Sequence, residues 1–320
     1  MKYSKIIATG SYLPEHILTN QELETMVDTS DEWIFSRSGI KERHIVAPGE
    51  TTSHMAYNAA IDALENGSID KDSIDLILVA TSTPDSIFPS VACLLQKNLQ
   101  LQRTVPGFDL QAACTGFIYA LVTADAFIKS GAAKTILVVG ADTISRCIDY
   151  KDRNTCVLFG DGAGCVILQA SETPGILASE IHADGNGDTA LCVPGHLYNG
   201  EIVGNPYMYM DGKAVYKMAV NNLASVATSV LKTAGCTAEQ LDWLIPHQAN
   251  IRIIKATAAH LSIPMDKVIT TVDLHGNTSA ASVPLALNHA VSAGKIKRGD
   301  LMLLEGVGAG FTWGASLIRY

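Results

Sequence analysis

The chain predicts a duplicated α/β fold, and three observations carry that expectation. Strand-like apolar runs alternate with helical patterns throughout. The second half repeats the order of the first at a nearly constant offset. Aromatics make up only 6% of the 320 residues while small residues are plentiful, which suits close packing of helices on sheets.

In order, "DLILVATSTP" (75–84) reads as a buried strand and "PSVACLLQKNL" (89–99) as the helix after it. "VPGFDL" (105–110) is a strand, "CTGFIYALVTADAFIKSG" (114–131) a long helix and "KTILVVGAD" (134–142) another buried strand. The second half offers "LDWLIPHQ" (241–248) as strand and "NIRIIKATAAHL" (250–261) as helix. There follow "VITTVDL" (268–274) as strand, "TSAASVPLALNHAVSAG" (278–294) as helix and "LMLLEGV" (301–307) as strand. Asp75 matches Asp242 at an offset of 167, Asp109 matches Asp273 at 164, and Ile136 matches Leu301 at 165. The glycine turns "GDGAGCVIL" and "GVGAGFTWGASLI" differ by only 146. An insertion of about 19 residues therefore falls in the first half, around "TISRCIDYKDRNTCVLF". The halves are placed at 1–172 and 173–320.

At 48% hydrophobic the chain can bury a large core, and its net charge of −9 argues against nucleic-acid or anionic-membrane binding. Any acidic partner must then meet a local basic patch. Seven cysteines show no CxxC pair and no metal spacing, so a reduced, cytoplasmic protein without a metal is expected. The apolar part of "MKYSKIIATGSYLP" is too short to export or anchor the chain.

Equivalent loops of a duplicated unit can converge near its axis. The two junctions in register carry Cys114 in "QAACTGF" and Asn277 in "LHGNTS", and an earlier junction of the second half carries His247 in "PHQAN". A cysteine at a helix N-terminus meets unpaired N–H groups that favour thiolate, although a free cysteine is most often a buried small hydrophobe. Asn277 alone reads equally as a cap or turn residue, with Thr278 or Ser279 as competitors. Together, a sulfur, an imidazole and a carboxamide suit stabilisation of charge on a thioester oxygen. "GVGAG" and "GDGAG" match neither phosphate-loop pattern, and each runs into a strand. "TSDEWIFSRSG" offers Ser30 or Asp31 as cap of a short helix with Trp33 and Arg37 on one face.

"VDTSDEWI", "AACTGF", "FGDGAG", "WLIPHQANIRI", "LHGNTSAASVPLAL" and "GAGFTWGAS" together resemble the β-ketoacyl-[acyl carrier protein] synthase III family. The resemblance runs nearly end to end and implies the five-layer α-β-α-β-α thiolase-like arrangement. A plain thiolase would offer a second cysteine near the last glycine turn, and "EGVGAGFTWG" has none. The family implies a Cys-His-Asn triad at Cys114, His247 and Asn277, and an oxyanion hole from the N–H groups of Cys114 and Ala309. It implies coenzyme A contacts at Thr29, Trp33, Arg37, Arg153, Gly212, Lys213 and Asn250, Lys213 standing where many relatives have asparagine. Carrier-protein contacts would be Gln248, Ala249, Asn250, Ile251, Arg252, Lys255 and Lys217, and Phe88 and Phe159 would shape the acyl pocket. The implied partners are acyl-coenzyme A, as substrate and with no cofactor, malonyl-[acyl carrier protein], and a second copy of the chain. Another acyl transfer on the same fold, or a non-catalytic binding homologue, are the competing readings; the latter would lack the nucleophile or the turn.

Overall fold

The computed structural model describes residues 2–320. Strand β1 (Tyr3–Tyr12) is followed by a ribbon of β2 (His16–Thr19) and β3 (Glu42–Ile45) that brackets helices α1 (Asn20–Leu23) and α2 (Asp31–Ser38). Then come α3 (Thr52–Gly67), β4 (Leu76–Ala80), α4 (Val91–Leu99), β5 (Gly107–Leu110), α5 (Gly116–Ser130), β6 (Thr135–Asp142) and β7 (Gly162–Ser171). The second half opens with β8 (Ile176–Ala183). Two short ribbons pair β9 (Leu191–Cys192) with β12 (Tyr209–Met210) and β10 (His196–Tyr198) with β11 (Glu201–Val203). Helix α6 (Gly212–Thr233), β13 (Trp243–Pro246), α7 (Ile251–His260), α8 (Val272–His275), α9 (Ser282–Ser292), β14 (Leu301–Gly308) and β15 (Thr312–Arg319) complete the chain.

The first sheet runs β1-β7-β6-β4-β5 and the second, read from the matching edge, β8-β15-β14-β13. Directions repeat as well: read from these edges, the first sheet has two antiparallel pairs followed by two parallel ones, and the second has two antiparallel pairs followed by one parallel pair. Strands β4, β6 and β14 are buried along their whole length, as apolar runs covered on both faces must be. Helices α5 and α9 lie between the sheets, packed among Leu78, Val138, Leu304 and Met302. Helices α3 and α4 cover the outer face of the first sheet, and α6 and α7 that of the second. Five layers result. The long first-half connection is residues 143–161 between β6 and β7, against 309–311 between β14 and β15.

One expected strand is not formed. Within 268–274 only Val268 bridges Leu244, and the chain then turns into α8. The reason lies in Gln248. Its amide nitrogen donates to Pro246 O and Ile269 O, and its Oε1 accepts from Thr271 N at 2.8 Å. A side chain thus takes the hydrogen bonds that a strand ladder would have used.

Ser30 is the cap of α2, its hydroxyl accepting from Trp33 N at 3.1 Å. Arg43 is wholly buried on β3 and donates to Leu18 O, Asn20 Oδ1 and Val157 O. It pins the N-terminal ribbon to the inserted segment, and so brings α2 beside the second half.

Candidate active site

Each half enters its central helix through the same turn. Ala113 (φ +47°) and Ser279 (φ +53°) hold left-handed backbone, unusual for residues with a Cβ, and each begins one 3₁₀ turn before α5 or α9. The turns are supported crosswise. Gly140 on β6 approaches Ala280 O so closely that a Cβ would stand 2.3 Å away, while Gly306 on β14 faces Thr115 and Cys114 O. Each sheet therefore seats the turn of the other half, and glycine is needed where backbones meet.

The two strands end differently. Asp142, last in β6, is fully buried and accepts from Ser82 N, Thr81 Oγ1, Thr83 Oγ1 and, at 3.1 Å, Ala280 N. The counterpart of Asp142 at the end of β14 is Gly308, and the counterpart of Ala280 N is Cys114 N. No backbone carbonyl accepts from Cys114 N among the described residues. The first half thus places a carboxylate oxygen where the second half leaves space beside an N–H. Ala309 follows in the turn, which Thr115 and Thr312 tie to the elbow through bonds to Thr312 O (3.0 Å) and Ala112 O (2.9 Å).

His247 leaves the end of β13, its N–H donating to Glu305 O at 2.8 Å, and its Nδ1 lies 2.5 Å from Ser282 Oγ. Burial lowers its pKa to about 3, so the ring is neutral at physiological pH. Asn277 is held by backbone bonds to Leu158 and Gly160, and its Oδ1 accepts from Ser279 N at 2.9 Å. With the oxygen engaged, the NH2 group is the end left for another partner. Cys114, His247 and Asn277 all line one cavity of about 900 Å³.

The thiol differs from expectation. Cys114 is only 7% exposed and sits on the 3₁₀ turn, two residues before α5. Burial, with Asp142 nearby, pushes its pKa up to about 12 against a smaller lowering by the Ser279 side chain. Burial therefore opposes the thiolate that a helix terminus favours.

Among the other expected residues, Arg37, Gly212, Lys213, Asn250, Ala249, Arg252 and Phe159 line the same cavity. A smaller cavity of about 180 Å³ shares Arg37, Gly212 and Asn250 with it and adds Trp33 and Arg153. The guanidinium carbons of Arg37 and Arg153 lie 4.8 and 5.2 Å from the Trp33 ring centroid. Asn250 Oδ1 caps α7 by accepting from Arg252 N, and Ile251 packs on Gly39. Lys255 is exposed and lines a separate groove with Phe35 and Lys41. Lys217 is exposed outside the cavities, and Phe88 is 82% exposed. Gln248 is a correction: it is 1% exposed and bonded inward as described above, so it cannot meet a docking protein. Thr29 lines none of these cavities, and its buried hydroxyl has no partner among the described residues.

Sequence reasoning missed the apolar lining of Leu191, Met210, Met218, Val307 and Phe311, because such residues look like core. It also missed Ser282, whose role depends on a contact 35 residues away.

The chain is similar in sequence and fold to known proteins. Residues 108–185 match the family model for 3-oxoacyl-[acyl-carrier-protein] synthase III, and 231–320 match the model for its C-terminal region. The chain is similar to the 3-oxoacyl-[acyl-carrier-protein] synthase III of Aquifex aeolicus, with 49% identity over 99% of this chain and 100% of that one, at TM-score 0.93. The Thermus thermophilus enzyme is 42% identical over 99% of both chains, also at 0.93. That of Pseudomonas aeruginosa is 40% identical over 99% and 98%, again at 0.93. The chain belongs to the 3-oxoacyl-[acyl-carrier-protein] synthase III family, condensing acyltransferases of thiolase-like fold that initiate fatty acid synthesis.

Proposed function

From that membership, we propose that this chain joins a short acyl-coenzyme A, typically acetyl-coenzyme A, to malonyl-[acyl carrier protein] through an acyl-Cys114 intermediate. The observation that carries the reading is the meeting of Cys114, His247 and Asn277 in one cavity, beside an N–H that Gly308 leaves free.

In the first half-reaction the Cys114 sulfur attacks the thioester carbonyl and the thiol of coenzyme A leaves. The tetrahedral oxyanion accepts from the N–H groups of Cys114 and Ala309. Support comes from the duplication itself: Asp142 Oδ2 accepts from Ala280 N, so the same backbone geometry already holds one anionic-type oxygen in the other half. In the second half-reaction the malonyl C–C bond breaks and CO2 leaves. The electron pair forms an enolate whose oxygen accepts from His247 and from the Asn277 NH2 group. The enolate carbon then attacks the acyl group, the carbon–sulfur bond breaks, and the Cys114 sulfur leaves as thiolate and takes up a proton from solvent. A neutral His247 gives up no proton, and its hydrogen bond gains strength as charge develops on the oxygen.

Trp33, Arg37 and Arg153 suit the nucleotide end of coenzyme A, offering a flat face and cations at the mouth of the smaller cavity. Arg252, Lys255 and Lys217 suit an acidic carrier protein on a chain of net charge −9. For a homodimer the support is an unpaired edge at β5 with Phe108 37% exposed, and Ile87 and Phe88 at 73% and 82%. Among the described residues no helix is long and apolar enough to cross a membrane. A cytoplasmic location is proposed.

The test is intact-mass analysis after mixing with acetyl-, butyryl- and longer acyl-coenzyme A. An acyl adduct that disappears in Cys114→Ser is expected, and the longest chain accepted reports the primer range. A protein that no thioester acylates would overturn the reading.

A further inference from the structure

We propose that Ser282 is a positioning residue that fixes the tautomer of His247, its hydroxyl donating to Nδ1 so that Nε2 carries the proton. The inference deepens the proposed function and rests on the reading of His247 as a donor to the enolate oxygen.

A neutral imidazole has one N–H, and which nitrogen holds it decides what the ring can do. With the proton on Nδ1, Nε2 would turn a lone pair to the enolate oxygen and repel it. With the proton on Nε2 the ring donates. Nδ1 lies 2.5 Å from Ser282 Oγ, and this is the ring's one hydrogen bond among the described residues, while His247 lines the cavity. His247 is 2% exposed and Ser282 1%, and the contact between Nδ1 and Oγ is buried.

A hydroxyl has one hydrogen and two acceptor lone pairs. Gln248 N lies 3.4 Å from the same Oγ, and that approach uses a lone pair. Among the described residues no other acceptor bonds Ser282 Oγ, so its hydrogen goes to Nδ1. Gln248 N is itself held in place, because the Gln248 side chain makes three bonds with Pro246, Ile269 and Thr271. The backbone bond from His247 N to Glu305 O fixes the other side.

The same short segment orients both donors. Ser279 N takes the Asn277 oxygen and leaves its NH2 free, while Ser282 Oγ takes Nδ1 and leaves Nε2–H free. Residues 277–282 thus aim two N–H donors from one rigid turn, without any charged group.

The experiment uses the full-length protein with 15N-labelled histidine and reads the His247 ring nitrogens by NMR, assigned by their loss in His247→Ala. Wild type is expected to show protonated Nε2 and bare Nδ1. Protonated Nδ1 in wild type overturns the proposal, whatever the variants do. Ser282→Ala is expected to add the other tautomer and slow malonyl-[acyl carrier protein] decarboxylation on the order of a hundredfold, with Cys114 acylation by acetyl-coenzyme A little changed. Ser282→Thr, which keeps the hydroxyl, is expected to restore both signals and guards against a folding defect. Ser282→Ala with an unchanged tautomer and rate also overturns it. Unimpaired decarboxylation in His247→Ala would instead remove the reading beneath it, so the two failures are told apart.

Discussion

A Cβ built on Gly308 would stand 2.7 Å from the backbone nitrogen of Cys114. That nitrogen is an oxyanion donor in the proposed chemistry, and the space beside it exists because β14 ends in glycine where β6 ends in Asp142. Gly308→Ala is therefore expected to lower the rate of Cys114 acylation about 10²–10³-fold, the cost of losing one preorganised donor. Intact-mass time courses measure it. Acylation at the wild-type rate would remove the N–H from the site.

Burial holds the Cys114 thiol up near 12, so the thiolate fraction is small at neutral pH and grows with alkalinity. Alkylation of Cys114 by iodoacetamide is expected to rise about tenfold per pH unit from pH 7 to 9. A plateau below pH 8 would mean that the helix terminus outweighs burial after all.

Arg252 lies 5.7 Å from the Tyr216 ring and is exposed where it lines the cavity, whereas Cys114, lining the same cavity, is buried. Arg252→Glu is expected to leave acylation by acetyl-coenzyme A within about twofold while raising the KM for malonyl-[acyl carrier protein] tenfold or more at low salt. High salt should narrow the difference. Equal losses in both half-reactions would count against a docking role.

His275 is buried, with His44 and His289 rings at 6.3 and 6.1 Å, and burial followed by those neighbours lowers its pKa to about 4. The unfolded chain, with an ordinary histidine near 6.5, binds the proton first. The contribution to stability is thus full above about pH 6.5 and falls away as pH drops toward 4. His247, lowered to about 3, acts in the same direction. His275→Asn is expected to reduce the loss of stability between pH 7 and 5 by about 2 kcal/mol, read from urea unfolding at both values. An unchanged pH dependence would show that the ring is hydrated.

Much of the site is legible along the chain because its residues break local rules. Cys114, His247 and Asn277 are polar or reactive groups at strand ends and junctions in register, where apolar core residues would otherwise stand. Trp33 and Arg37 share a helical face through a spacing of four, and Ser30 caps that helix as such residues do. The strand expected at 268–274 failed for a different reason. Its β-branched residues fit a strand, but Gln248, twenty residues earlier, takes over the ladder and frees the chain to turn.

By itself the sequence determined the doubled α/β order, the three candidate site residues and the family, since periodicity, register and motif are properties of the chain read in line. Tertiary structure alone decided the burial of Cys114, the inward turn of Gln248 and the pairing of Ser282 with His247. Each of these depends on burial or on a partner distant in sequence, and desolvation and hydrogen-bond geometry exist only once the layers have packed.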